Sequence, residues 1–243
     1  MNGLAIYTLW RRDITRFFRD RARVIGAIAP PIVFWLLIGS GLGPGVSKFL
    51  FSGTVVLIVL FTSVFATISL IEDRREGFLQ AVLVSPVSRL SVVLGKLLGA
   101  STVGFIQGLA FLALAPLAGL SPSAEGWLIA TAALLLISLG LTALGICIAW
   151  ALDSTQGFHA IMNLVLIPMW LLAGAVFPLE TSPAWLAFIM RIDPVSYSVA
   201  ALHTALGTGA VAIATPAVSL AILAVFALVS LAAAVALASR PQR

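Results

Sequence analysis

Charge is what this sequence has least of. Only 9% of its 243 residues are Asp, Glu, Lys or Arg, where a soluble globular domain carries about 25%. A chain of this size cannot cover a water-facing surface with so few. The composition therefore excludes a soluble enzyme and a disordered tail. The formal charge of +5 would suit nucleic acid, but the positions of the charges, taken up below, speak for a membrane instead. Cysteine is nearly absent: Cys147 stands alone, which excludes a disulfide framework and a Cys-based metal site. Histidine is limited to His159 and His203. There is no His-Glu-x-x-His pair, no paired Asp inside an apolar run and no Gly-x-Ser-x-Gly elbow, so an intramembrane protease or hydrolase has no chemical constellation to stand on. The phosphate-cradling motif Gly-x4-Gly-Lys-Ser/Thr is also missing. Gly95-Lys96 has Leu90 where the first glycine belongs and Leu97 after the lysine.

What the chain has instead is apolar length. It is 61% hydrophobic, with a mean hydropathy of +1.13. Six runs of 18 or more residues are almost free of charge: 24–43, 50–71, 92–117, 127–150, 160–177 and 216–238. A bilayer crossing takes about 20 apolar residues as helix, and helix is the open choice because each backbone N–H and C=O must be paired within its segment. The runs are too long for barrel strands and do not alternate. The reading is an all-α membrane protein of six transmembrane helices, with 1–243 as a single domain. Pro30 and Pro31 open the first span, and Pro168 predicts a kink in the fifth.

Lys and Arg orient it. With a cytoplasmic N-terminus, twelve of the fourteen fall inside: Arg11, Arg12, Arg16, Arg19, Arg21 and Arg23, then Arg74, Arg75, Arg89 and Lys96, then Arg240 and Arg243. Only Lys48 and Arg191 fall outside. Both termini are expected in the cytoplasm. The arginine-rich start is too amphipathic for a signal peptide and no small-x-small site follows the apolar run, so no cleavage is expected.

Three segments lie outside the spans. Residues 1–23 place Leu4, Tyr7, Trp10, Ile14, Phe17 and Phe18 at three- and four-residue spacing, flanked by Arg11, Arg12, Arg16 and Arg19. That predicts an amphipathic helix in the headgroup plane, either a plain topogenic anchor or one that also touches a partner. Residues 72–91 open with Glu72, Asp73, Arg74, Arg75, Glu76 and Gly77 and continue with an apolar turn in which Phe78, Leu79, Val82 and Leu83 share one face. Pro86 ends it. This short cytoplasmic helix is either a docking knob or a loop helix packed on its own bundle. Residues 178–215 are apolar but cut by Pro178, Pro183 and Pro194 into pieces too short to span. They predict re-entrant or interfacial outer helices, read as a gate with Pro178, Glu180, Trp185, Pro194 and Tyr197, or as a lid with no part in passage.

Polar groups within the spans are few. Gln107 and Asn163 either tie helices together or line a pathway. Gly95/Gly99 and Gly104/Gly108 are small-x3-small pairs on roughly opposite sides of span three and predict close helix approach. Lys96, near the inner end of that span, is expected to snorkel to the headgroups. No acidic or basic group stands at the centre of any span, which disfavours ion-coupled transport. His159 and His203 fall at opposite membrane faces and cannot share a metal; no metal site is expected.

The middle segment resembles a known signature. Glu72-Asp73-Arg74-Arg75-Glu76-Gly77, Leu83-Val84-Ser85-Pro86-Val87-Ser88-Arg89 and Leu94-Gly95-Lys96 are similar to the ABC-2 type exporter permeases, nearest the daunorubicin-resistance and multidrug-like branch. A second block agrees: Phe177-Pro178-Leu179-Glu180, Pro183, Trp185-Leu186, Asp193-Pro194 and Tyr197. The chain departs from the pattern at Phe78, where threonine is usual, and at Ala200 and His203, where an acidic residue and an arginine are frequent. The resemblance implies a multi-pass permease of the plasma (inner) membrane that pairs with a second copy or a similar permease. ATP and Mg would be held by a separate ATPase subunit, and this chain would need no cofactor of its own. It also implies that Glu72, Asp73, Arg74, Glu76, Gly77, Phe78, Pro86 and Arg89 couple to that ATPase, with the interfacial helix residues Tyr7, Trp10, Arg11, Arg12, Phe17 and Phe18 beside them. The cargo would be a hydrophobic or amphipathic, drug- or lipid-like molecule. The competing readings are an ion-gradient-driven transporter and a membrane scaffold.

Overall fold

The apolar runs become helices because lipid offers no other partner to the backbone. The computed structural model describes residues 2–85, 87–210 and 212–239, and these residues contain no strand. Helix α1 (Gly3–Arg19) is capped by Asn2 and leads into α2 (Arg21–Leu42). Helix α3 (Pro44–Ala66) starts at Gly43-Pro44 and continues past Thr67 as α4 (Ile68–Arg75). The short α5 (Phe78–Val84) precedes α6 (Arg89–Leu112) and α7 (Ala124–Ala151). Helix α8 (Thr155–Trp170) ends in a wide π turn over Leu171–Ala175. Helices α9 (Ala184–Ile192), α10 (Pro194–Leu206) and α11 (Pro216–Ser239) complete the fold.

Five helices are long and apolar enough to cross a bilayer: Gly45–Arg75, Arg89–Leu112, Ala124–Ala151, Thr155–Ala175 and Pro216–Ser239. Two bent pairs raise the number to as many as seven: Gly3–Arg19 with Val24–Gly39 at 63°, and Ala184–Ile192 with Pro194–Leu206 at 94°. The expected first span, 24–43, lies on α2, which meets the criterion only together with α1. Pro30 and Pro31 do not open that helix. They lie inside it, because it begins at Arg21. The third span is shorter than its apolar run, since α6 stops at Leu112. Pro116 has no N–H to offer the Leu112 carbonyl and its ring crowds that oxygen, so the α-helix does not continue and the chain turns through a 3-10 segment at Ala115–Ala118. Beyond Pro168 the expected kink takes the form of the π turn, with Gly174 at φ 79°.

Helix α3 is the axis. Every residue from Leu50 to Leu60 is buried, and α2, α6, α7 and α10 surround it. Close approach is possible where side chains are small. The Trp170 indole N–H donates to the Gly53 carbonyl at 2.8 Å, and Gly53 lies directly against Ala175. Successive helices run up and down, so their ends gather at two levels. At one level the Asn2 amide donates to Ser91 and Arg89 reaches the Ala238 carbonyl. The described ends of the chain therefore meet at the first turn of α6. At the other level Lys48 lies against Gly119. The first level holds most of the charge and is called the charged end below.

Candidate functional site

The charged end is built from one local break. Helix α4 ends at Arg75, and Gly77 adopts φ 76°, a left-handed conformation that glycine takes without a Cβ penalty. The chain then turns into α5. The Ser85 hydroxyl caps the end of α5 through the Val82 carbonyl, and Ser88 accepts the Ser91 amide to start α6. Leu79 is buried and Phe78 and Val82 pack on the core, so the apolar face of α5 lies on its own bundle. Gln80 and Ala81 are exposed, Val84 is 88% exposed, and Arg75 and Glu76 lie exposed beside them. Pro86 and the side chain of Leu83 lie outside the described residues, as do Arg240 and Arg243.

Beneath α5 lies an ion network that joins α1, α4 and α6. Asp73 is completely buried. Its carboxylate accepts two bonds from Arg12 (2.6 and 2.8 Å), one from Arg16 (2.9 Å) and one from the Lys96 ammonium. Lys96 also donates to Asp13 at 2.9 Å. Arg16 reaches Glu72 at 3.1 Å and Glu76 at 3.3 Å on the rim. The Arg12 guanidinium lies 3.8 Å from the Phe78 ring centroid, a cation–π contact that ties α5 to the same cluster. Buried charges persist only when paired, and here two buried carboxylates face three cations. Burial pushes the Asp13 carboxyl above its ordinary range, and the Lys96 ammonium pulls it back.

Lys96 therefore does not snorkel. It is 4% exposed and turned inward, because Asp13 and Asp73 supply the anionic partners that headgroups would otherwise provide. Asp13 was not among the candidate residues. Its signal was its place on the Leu9–Asp13–Phe17 row, an acid between two apolar residues at four-residue spacing, and all three are buried.

The glycines of α6 explain how α1 comes so close. A Cβ on Gly95 would meet Leu9, and one on Gly99 would meet Asp13. Gly104 and Gly108 lie instead against Ser63 and Val59 of α3. Both pairs thus serve helices of the same chain. The interfacial candidates divide: Phe17 is buried and the Trp10 indole donates to Thr102 at 3.1 Å, while Tyr7, Arg11 and Phe18 are exposed.

Two of the coupling candidates hold helix ends. Arg74 donates to the Trp150 and Leu152 carbonyls at 3.1 and 3.3 Å and pairs with Asp153 at 2.8 Å. Arg89 donates to the Ala238 carbonyl at 2.7 Å. Cations at these C-termini satisfy carbonyls that the helix leaves open and complement its dipole. Asp73, Arg74 and Arg89 therefore act as anchors inside the chain. Glu76 lies exposed at the accessible edge, and Glu72, Gly77 and Phe78 are half-buried behind it.

The remaining candidates are dispersed. Gln107 is buried and accepts the Thr62 hydroxyl, tying α6 to α3. Asn163 is exposed on α8 among exposed Leu164, Val165 and Ile167. At the far level, Pro178 precedes a 3-10 turn that holds Glu180, and Trp185 is exposed on α9. Pro194 begins α10, and the Tyr197 hydroxyl donates to the Arg191 carbonyl at 2.7 Å. Outside the five spanning helices, this region also buries two titratable groups that were not candidates. Asp193 caps α10 through the Val195 amide at 2.8 Å, and burial pushes its carboxyl up to about 7. His203 stacks on Phe49 with ring centroids 4.8 Å apart, bonds Thr208 at 2.8 Å, and is pushed down to about 4 by burial. His159 rests on Phe65 at the charged end.

Comparison with known proteins gives a consistent set. The family model for the ABC-2 type transporter matches residues 4–207, from α1 to the end of α10. A putative transport permease ycf38 of Cyanophora paradoxa is 25% identical over 206 residues, covering 80% of this chain and 71% of that protein. Nodulation protein J of Rhizobium meliloti (strain 1021) is 27% identical over 209 residues, 82% and 79% of the two chains. A probable multidrug ABC transporter permease, YbhR, of Escherichia coli (strain K12) is 26% identical over 144 residues, 59% of this chain and 38% of that one.

Proposed function

Because the chain belongs to the ABC-2 type transporter family, we propose that it is the permease subunit of an ATP-driven exporter, powered by a separate ATPase chain. The observation that carries this reading is the construction of the charged end. A short helix, α5, presents Gln80, Ala81 and Val84 outward with Glu76 at its edge. Behind it the Asp73–Lys96–Asp13 network joins α1, α4 and α6. That is an exposed contact backed by a rigid mount. On this reading the charged end is cytoplasmic, in keeping with the Lys/Arg bias, and the membrane is the plasma membrane. ATP-driven movement of the partner would displace α5 and tilt the helices mounted behind it, switching access by rigid-body motion.

The outward faces of α2, α8 and α11 are apolar, with Leu37, Leu164 and Leu228 exposed. They suit lipid or a second copy. Asn163 tips α8 toward the second copy, because a carboxamide facing hydrocarbon has no partner. The cargo class follows from the same surface: few fixed charges, hence a hydrophobic or amphipathic molecule. An ion-gradient mechanism would need a titratable group in mid-span. The buried cluster of Asp13, Asp73 and Lys96 is instead paired within itself and closed by Arg12 and Arg16.

Co-purification tests the proposal. The native chain is expected to bring an ATPase with it, and ATP to be required for efflux in vesicles. Replacing Ala81 and Val84 by Glu is expected to abolish the association while the permease keeps its melting temperature. Retained association in A81E/V84E, or full transport without ATP, would overturn it.

A further inference from the structure

Around α1 the side chains sort into three sectors. Leu9, Asp13 and Phe17 turn to the protein. Leu4, Tyr7 and Phe18 form an apolar flank that is 75, 52 and 45% exposed. Thr8, Arg11, Thr15 and Arg19 form a polar wall, and this wall is one side of an open groove of about 900 Å³ to which Glu72 of α4 and Asp20 at the end of α1 contribute carboxylates. The helical period puts Arg11 on the stripe of Leu4 and Phe18, seven residues from each, beside the wall. Arg12 and Arg16 also line the groove, but their guanidiniums are engaged by Asp73. Arg11 and Arg19 have no ion pair or side-chain hydrogen bond among the described residues. The Thr8 and Thr15 hydroxyls spend their protons on the Leu4 and Arg11 carbonyls. Anion recognition in the groove therefore falls to two guanidiniums.

We propose that this groove binds the phosphate of an anionic glycerolipid headgroup, with Arg11 and Arg19 as its charge partners and the Leu4–Tyr7–Phe18 flank against its acyl chains. Guanidinium forks match phosphate oxygens in geometry and charge. The flank decides the source of the phosphate. An acidic protein surface in the groove would leave three large apolar side chains facing water, whereas a lipid carries a headgroup charge and an apolar body in one molecule. The site is independent of the exporter reading, since it needs neither ATP nor a cargo.

The test is native mass spectrometry of the full chain in detergent, titrated with dioleoyl-phosphatidylglycerol and, separately, with dioleoyl-phosphatidylcholine, inorganic phosphate and glycerol 1-phosphate. Phosphatidylglycerol is expected to bind more tightly than phosphatidylcholine. Each basic residue near an anionic lipid surface contributes a factor of about five, so R11Q/R19Q is expected to weaken binding by about 25-fold. R11K/R19K keeps both charges but loses the forks, so its affinity is expected to fall between those of the native chain and R11Q/R19Q, and R191Q at the other level should change nothing. Both arginines of the pair are exposed, so the fold is expected to survive, checked by melting temperature. Three results would overturn the proposal: unchanged phosphatidylglycerol affinity in R11Q/R19Q, free phosphate or glycerol 1-phosphate binding as tightly as the lipid, or R11Q/R19Q releasing an associated protein while lipid binding persists.

Discussion

Replacing Lys96 by Met leaves two buried carboxylates short of a cation. Asp73 retains Arg12 and Arg16. Asp13 retains only a 3.5 Å approach to Arg12, a half-buried side chain that Asp73 already holds. Removing one partner of a buried pair costs about 3–5 kcal/mol, because the other charge stays desolvated without compensation. Arg16 sits on the rim with 30% of its side chain exposed, so R16Q is expected to cost no more than about 1 kcal/mol. The contrast between the two substitutions is the signature of burial.

The decisive variant is the double one. In K96M/D13N the orphaned charge is gone, and what remains is a buried amide with an unmade hydrogen bond, worth about 1–3 kcal/mol. The double variant is therefore expected to recover roughly 2 kcal/mol over K96M alone. Asparagine is chosen because Asp13 lies directly against Gly99, which leaves no room for a larger side chain. The assay is reversible unfolding in mixed micelles, followed by tryptophan fluorescence. A K96M cost below about 1 kcal/mol, or D13N adding to the damage instead of offsetting it, would refute the network as a buried lock.

Two further outcomes are expected from the same assay. A Cβ on Gly104 would overlap the Ser63 hydroxyl oxygen but sit 3.2 Å from the Ser63 Cβ; G104A should cost about 1–3 kcal/mol by overpacking, and S63A should restore most of it, while no restoration would place the clash elsewhere. Asp193, held up to about 7, contributes stability below about pH 4 that is lost as pH rises toward 7, whereas His203, held down to about 4, contributes stability above about pH 6.5 that is lost as pH falls. The two slopes oppose each other between pH 4 and 6.5. D193N should therefore unmask stability that rises with pH, and H203F stability that falls with it; slopes of the same sign in both variants would contradict the assignment.

The helices were legible because the bilayer constraint acts on composition. All six apolar runs fall on helices, and α1 follows from the spacing of its aromatics. What composition could not supply was the end of each element and its neighbours. Pro116 marked the stop of α6 but stood within a run that read as continuous. Lys96 read as a snorkelling side chain because, along the chain, only lipid lies near it. Its partners are 23 and 83 positions away, and nothing in local periodicity reports a contact of that kind. Arg74 and Arg89 show the same limit, with carbonyl partners 76 and 149 positions distant. The apolar face of α5 was visible in the sequence, but the sequence left its direction open. Burial of Leu79 resolves it inward.

This sorting changes how the charged segment works on the exporter reading. Helix α5 hangs between Gly77 and Ser88, and both of its flanking helices converge on one contact, Asp73 of α4 with Lys96 of α6. A displacement of α5 cannot move α4 without α6, and Asp13 carries α1 along with them. Arg74 and Arg89 extend the same body to the ends of α7 and α11. Force applied at Gln80, Ala81 and Val84 would thus reach five helices through ionic contacts and only one glycine turn. Residues at the edge and residues in the mount should then fail differently. Edge substitutions would release the partner from a stable permease, and mount substitutions would keep the partner bound to a permease that has lost stability.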